Sequence, residues 1–283
     1  MTGDRRDRGR RDAPRPSGGS PRLRSLGLLW GRAFRSSFAN QAAYRGDFIL
    51  NLAVSLLFEM LTPLATILTY ASTDGAGFPG WTMEEALLIQ AVFLLARGIA
   101  FPLFFGIVWV VFNQVREGTF ELTLLRPRSP LLVAITAGVD VSGFGQLAGG
   151  LLLFGWIVDR LAIGPARVLL FLPILGLSVL TLLACALFMS GTLFVWIGNS
   201  RVLELLDSIL IFGRYPGSIF SSLFQLSLAV LIPVSMIALF PAEVLLGRTN
   251  GLLYLGIPAC LAFLGLSVVF WNHMCGKYAG GGG

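Results

Sequence analysis

Six long apolar blocks, separated by short polar interruptions, set the pattern of this chain. Apolar residues dominate about 48–70, 83–113, 131–158, 168–197, 218–239 and 252–271. A helix needs about 20 apolar residues to cross a bilayer, so each block is long enough to be a transmembrane helix. The alternating pattern of an outer-membrane barrel is nowhere visible. Ahead of the first block, Leu23, Leu26, Trp30, Phe34 and Phe38 recur at steps of three and four, while Arg24, Arg32 and Arg35 fall elsewhere on the wheel. This spacing predicts an amphipathic helix over 22–46 lying in the headgroup plane. A cytosolic helix packed on the protein fits the same periodicity.

The blocks are not uniform. The first carries Glu59 near its middle and Pro63 after it. The second is too long for one perpendicular span and must tilt, extend into water, or break near Pro102. Thr82 and Glu85 at its start form a capping box, and Trp81 belongs at the interface. Arg97 lies near its centre. If the first two spans form an antiparallel hairpin, Glu59 and Arg97 reach similar depth, and they are expected to pair or to face a wet cavity together. The third block contains the small-residue run Gly143, Gly145, Gly149 and Gly150, which permits close helix approach. Pro233 is expected to kink the fifth. Pro241, Glu243, Arg248 and Asn250 interrupt the run before the sixth, as a half-inserted, re-entrant external segment would.

Composition agrees with the pattern. The chain has 283 residues, 55% hydrophobic and 13% charged, where soluble domains carry about 25% charged residues. The fold class is therefore an all-α integral membrane protein: a transmembrane domain over 22–283 behind a disordered basic arm over 1–21. That arm is Arg, Asp, Pro, Gly and Ser with almost nothing to bury, and it lacks the apolar core of a secretory signal. Gly280 to Gly283 read as a flexible tail. Basic residues number 11, 3, 2 and 1 in segments 1–47, 114–130, 198–217 and 272–283. The positive-inside rule puts these four segments, and both termini, in the cytoplasm. A basic arm joined to a membrane span reads as an orientation and anionic-lipid signal, so no nucleic-acid partner is expected.

One polar segment stands apart. Val115–Pro130 holds two glutamates, three arginines and two prolines between apolar blocks, with hydrophobic residues interleaved. Its charges cannot sit in hydrocarbon, and the interleaving suits docking to a soluble partner better than a plain linker. Catalytic chemistry is missing. The chain has a single lysine, Lys277, and no phosphate-cradling P-loop, and its lone histidine, His273, has no second histidine to share acid–base work. Cys185, Cys260 and Cys275 lack metal-type spacing or a disulfide framework. No metal site, no cofactor and no catalytic residue is expected in this chain.

The run Val115-Arg116-Glu117-Gly118-Thr119-Phe120-Glu121-Leu122-Thr123-Leu124-Leu125-Arg126-Pro127 resembles the loop between spans two and three of ABC-2-type transporter permeases of the six-helix bacterial group. Phe212-Gly213-Arg214-Tyr215-Pro216, Ile232-Pro233 and Phe240-Pro241-Ala242-Glu243 add to the resemblance, which covers most of the chain from about residue 23. It implies the membrane subunit of an ATP-binding-cassette exporter in a bacterial inner membrane. Two such subunits, identical or related, would pair with separate ATPases that bind ATP and Mg. The cargo would be an amphipathic or hydrophobic molecule, such as a drug in multidrug efflux, moved by alternating access. The resemblance further implies that Glu117, Gly118, Thr119, Phe120, Glu121, Leu122, Leu125 and Arg126 form a coupling helix that docks on the ATPase. Gly118 would allow a tight turn before that helix. The alternative is a non-transporting scaffold or channel whose cytoplasmic loops bind a structural partner.

Overall fold

The computed structural model describes residues 30–38, 45–195, 200–248 and 251–278, and among them the chain is helical with no strand. The basic arm and most of the tail lie outside the described residues. Residues 30–38 are helical (α1), with Arg32, Arg35 and Phe38 exposed. The helices that follow are α2 (Arg45–Ser72), α3 (Met83–Ala100), α4 (Ile107–Arg116), α5 (Glu121–Leu124), α6 (Pro130–Ala137), α7 (Phe144–Arg160), α8 (Pro165–Thr192), α9 (Ser200–Ile211), α10 (Ser222–Val230), α11 (Leu239–Leu246) and α12 (Gly251–Gly276).

Four continuous helical stretches among the described residues are long and apolar enough to cross a membrane: Gly46–Ser72, Met83–Arg116, Pro165–Thr192 and Gly251–Gly276. The second forms the centre of the bundle. Of its most apolar window 72% is buried, against 6% for α2, whose Ile49, Leu57, Phe58, Leu61 and Leu68 face outward. The central helix starts on the Thr82–Glu85 capping box, both of whose hydrogen bonds form. At Pro102 it breaks register: Phe101–Phe105 is a π-helical turn joining α3 to α4. Proline removes one donor from the ladder, and a wider turn accommodates the loss. At 34 residues this stretch is about 50 Å long, well beyond the hydrocarbon core.

The glycine run of the third block has its partners within the chain. An added Cβ at Gly145 or Gly149 would meet Leu52, Ser55 or Met60 of α2, and one at Gly150 would lie 2.8 Å from the Leu95 nitrogen of α3. Helix α7 thus wedges between α2 and α3. From the α3 side, a Cβ at Gly98 would fall 2.5 Å from the Leu147 backbone. Gly98→Ala is expected to destabilise the protein by about 1–3 kcal/mol through overpacking. Gly155→Ala, where the added Cβ meets nothing within 4 Å, should leave the melting temperature level or slightly raised. A thermal unfolding scan of both variants checks this, and equal scans would refute the close α3–α7 contact.

Two of the six apolar blocks are not continuous helices. The third divides at Gly138, where α6 ends and the chain passes through a 3-10 turn, Val141–Gly143, before α7. The backbones of Gly138 and Gly106 touch there, leaving no room for a Cβ on either. The fifth block is corrected more deeply. Instead of one kinked span over 218–239, helix α10 stops at Val230, and Pro233 begins a turn that leads into α11. The turn is fully packed, with Val234, Met236, Ile237 and Ala238 at 0% exposure. Ser178 of α8 satisfies it by donating a 2.9 Å hydrogen bond to the Met236 carbonyl.

Contacts sort the ends of the helices into two groups. At one end Tyr70 donates to the Trp81 carbonyl and accepts from the Phe78 amide, Arg248 pairs with Glu85 and covers Trp81, and Arg167 reaches the Leu246 carbonyl. The end of α2, the starts of α3 and α8 and the end of α11 therefore lie together. At the other end α5, the residues after α8 and the end of α12 meet through aromatic rings.

Candidate functional site

The segment singled out between spans two and three folds back on the bundle. Helix α4 ends at Arg116, and Gly118, at φ +70°, reverses the chain in a conformation that favours glycine. Gln114 then holds the returning strand of chain. Its carbonyl accepts from the amides of Thr119 (2.8 Å) and Phe120 (3.2 Å), and its side-chain oxygen accepts from the Thr123 hydroxyl at 3.1 Å. The single-turn helix α5 is thereby fixed against the end of α4.

Phe120 anchors this arrangement by facing inward, onto the chain's own rings. Its side chain is completely buried. Its ring lies 4.8 Å from that of Phe194 and 5.4 Å from that of Tyr278, and Phe194 meets Trp271 at 5.4 Å, all edge to face. Such pairs contribute roughly 0.5–1.5 kcal/mol each beyond burial. One ring thus ties α5 to the ends of α8 and α12. Burial, with a smaller contribution from the Glu121 carboxylate, pushes the Tyr278 phenol above its ordinary range. The opposite side of α5 is exposed: Leu122 is 64% and Leu125 80% exposed, flanked by exposed Glu117, Gly118, Thr119, Glu121 and Arg126.

The buried charges pair differently from the expected Glu59–Arg97 couple. Arg214, from the 3-10 turn Phe212–Arg214, donates to Glu59 at 3.0 Å and to the Thr62 hydroxyl at 3.0 Å. Gln146 of α7 donates to the other Glu59 oxygen at 2.9 Å, and the Arg214 guanidinium stacks 4.7 Å over Phe93. Arg97 instead lies 3.7 Å from Asp207 of α9 and 4.9 Å over Phe101. Both Glu59 and Arg214 remain within electrostatic reach of Arg97. Arg214 looked like a loop residue. The signal that could have found it is Gly213, whose missing side chain admits Phe93 and Val234 against the turn. Arg97 also lines an open cleft of about 390 Å³ between the central helix and α9. Among the described residues no three His, Cys, Asp or Glu side chains converge to hold a metal ion.

A family model described as ABC-2 family transporter protein matches residues 56–282. The match spans most of the chain, from α2 through the end of α12, and includes α5 and both buried arginines. No curated protein and no solved structure matches the chain. The chain belongs to the ABC-2 transporter family: it is a multi-pass membrane protein and a membrane subunit of that family, not an ATPase.

Proposed function

We propose that this ABC-2 family chain is the permease subunit of an ATP-binding-cassette exporter, driven through α5 by a separate ATPase that carries the ATP and Mg. The observation that carries this reading is the division of labour in α5. Phe120 fastens the helix inward to α8 and α12, while Leu122 and Leu125 stand out into solvent. Exposed leucines on a rigid single turn, rimmed by Glu117, Glu121 and Arg126, suit an interface with an apolar centre and a charged rim. Force applied to α5 passes through the Phe120 cluster into two long helices.

In this reading the end of the bundle bearing α5 faces the cytoplasm of a bacterial cell, in its inner membrane, with both termini inside. The crossings are α2, α3–α4, α6–α7, α8 and α12, with α9 and its 3-10 turn supplying the fifth passage in place of 218–239, so that 198–217 is a crossing in this reading and not the cytoplasmic segment expected from its charge. Helices α10 and α11 form a re-entrant pair entering from the outside. Residues Leu226 and Val230 of α10 share a groove with Ala259 and Phe263 of α12, and the end of α11 returns to the external ties of Arg248 and Arg167. The outward apolar face of α2 suits lipid or a second permease, identical or related, and α1 lies along the inner leaflet. The cargo, an amphipathic or hydrophobic small molecule, moves by alternating access at the expense of ATP hydrolysed on the partner.

The test is co-purification of an ATP-binding-cassette ATPase with this chain from its native membrane. Leu122→Asp and Leu125→Asp should each reduce recovery of the ATPase at least about tenfold, the loss of a centrally placed contact. Their melting temperatures should stay within the small range of surface substitutions. Wild-type protein that never captures an ATPase, or unchanged capture by both variants, would sink the reading and favour a scaffold or channel.

A further inference from the structure

The cleft between the central helix and α9 has the size and the chemistry of a ligand site. Its volume is about 390 Å³, within the roughly 300–1,000 Å³ of small-molecule pockets. One wall is aromatic: Phe105 closes the π-helical turn, and Trp109 and Phe112 follow it along α4. The turn decides this alignment, because Phe105 stacks directly under Phe101 at 4.7 Å before Trp109 and Phe112 continue the strip edge to face. The facing wall is acidic. Glu204 and Asp207 stand three residues apart on α9, hence on one face of the helix.

Charge in the cleft does not balance. Arg97 is already engaged, 3.7 Å from Asp207 with its guanidinium over Phe101. The charged side chains that line the cleft are two carboxylates, Glu204 and Asp207, against the single guanidinium of Arg97, with Glu204 exposed at the mouth. A net negative charge therefore faces a strip of π faces, whose quadrupoles attract cations. The seat of Arg97 on Phe101 is the same interaction made by the protein's own side chain. An anionic ligand would have to take Arg97 away from Asp207 and tolerate Glu204 beside it.

We infer that this cleft binds a lipophilic organic cation, its apolar body against Phe105, Trp109 and Phe112 and its charge beside Glu204. Trp109, 59% exposed, stands at the opening together with Glu204. Such a ligand can enter from the membrane side without crossing the packed core. That the bound cation is the transported cargo rests on the exporter reading; the binding itself does not.

Tetraphenylphosphonium and tetraphenylborate, alike in shape and opposite in charge, separate the possibilities. Radiolabelled binding is measured on the full chain in lipid nanodiscs, with empty nanodiscs as the blank. The phosphonium should bind saturably and more tightly than the borate. Glu204→Gln and Trp109→Ala, both altering exposed side chains, should each weaken it by about tenfold or more. Phosphonium binding no greater than the blank, tighter borate binding, or an unchanged affinity in Glu204→Gln would overturn the site. ATPase capture is read on the same preparations. Glu204→Gln should keep the ATPase while losing the cation, so loss of the site and loss of the exporter reading show in different measurements.

Discussion

Phe120→Ala is expected to destabilise the protein by about 3–5 kcal/mol, the usual cost of removing a fully buried aromatic side chain. The side chain has 0% exposure and two ring contacts, to Phe194 and Tyr278, which would be left facing a void. Leu125→Ala, five residues on and 80% exposed, should change stability by less than about 0.5 kcal/mol. The contrast identifies which residues of the segment serve folding and which are free for a partner. If the proposed exporter function holds, the variant should also uncouple, because Phe120 links α5 to α8 and α12: ATPase binding retained in part, stimulation by cargo lost. Phe120→Leu, which keeps apolar bulk without the edge-to-face geometry, should fall between. Denaturation followed in detergent or nanodiscs gives the stability ranking. A melting temperature unchanged by Phe120→Ala would show that the ring is not seated in the cluster.

Removing one partner of the Glu59–Arg214 pair is the other large effect. Both side chains are nearly enclosed, at 11% and 13% exposure, so either Glu59→Met or Arg214→Met strands a charge in an apolar setting. Each single variant should lose about 3–5 kcal/mol. The double variant should recover much of that loss, because no charge is then left without a counterpart, and its interaction energy gives the coupling directly. Arg97→Met should cost less, since Asp207 is 42% exposed and can turn to solvent. The double-mutant cycle distinguishes the partners. Strict additivity of Glu59→Met with Arg214→Met, or strong coupling of Glu59→Met with Arg97→Met, would restore the pairing expected from depth alone.

These two predictions mark where sequence reasoning reached and where it stopped. The polar segment between the second and third blocks was legible because charge, glycine and proline are costly or disruptive inside a membrane helix, and they cluster between Val115 and Pro130. Gly118 was legible as a turn for the same local reason. The orientation of Phe120 was not, because the rings that cover it come from residues 194, 271 and 278. Along the sequence, Phe120, Leu122 and Leu125 are equivalent apolar positions; in space one is an anchor and two are surface. Glu59 announced a buried charge, and helix depth made Arg97 its natural counterpart. Arg214 takes its place from the 3-10 turn, where Gly213 packs closely against Val234 and Phe93 and the guanidinium reaches Glu59.

The sequence by itself determined that the protein lies in a membrane as a helical bundle and where its central helix begins, and it marked Pro102 as one place where that helix could break. Each follows from local cost: apolar length against hydrocarbon thickness, a cap at Thr82, a missing amide at proline. Tertiary structure alone decided that the third and fifth blocks are interrupted, that the glycines of α7 serve its own α2 and α3, and that Arg214 holds Glu59. The physical reason is shared. In a bilayer every apolar block looks alike to its solvent, so hydrophobicity places helices without ranking their neighbours. Close backbone contacts at Gly98, Gly106 and Gly138, and the few buried polar groups that must find partners, then select one packing.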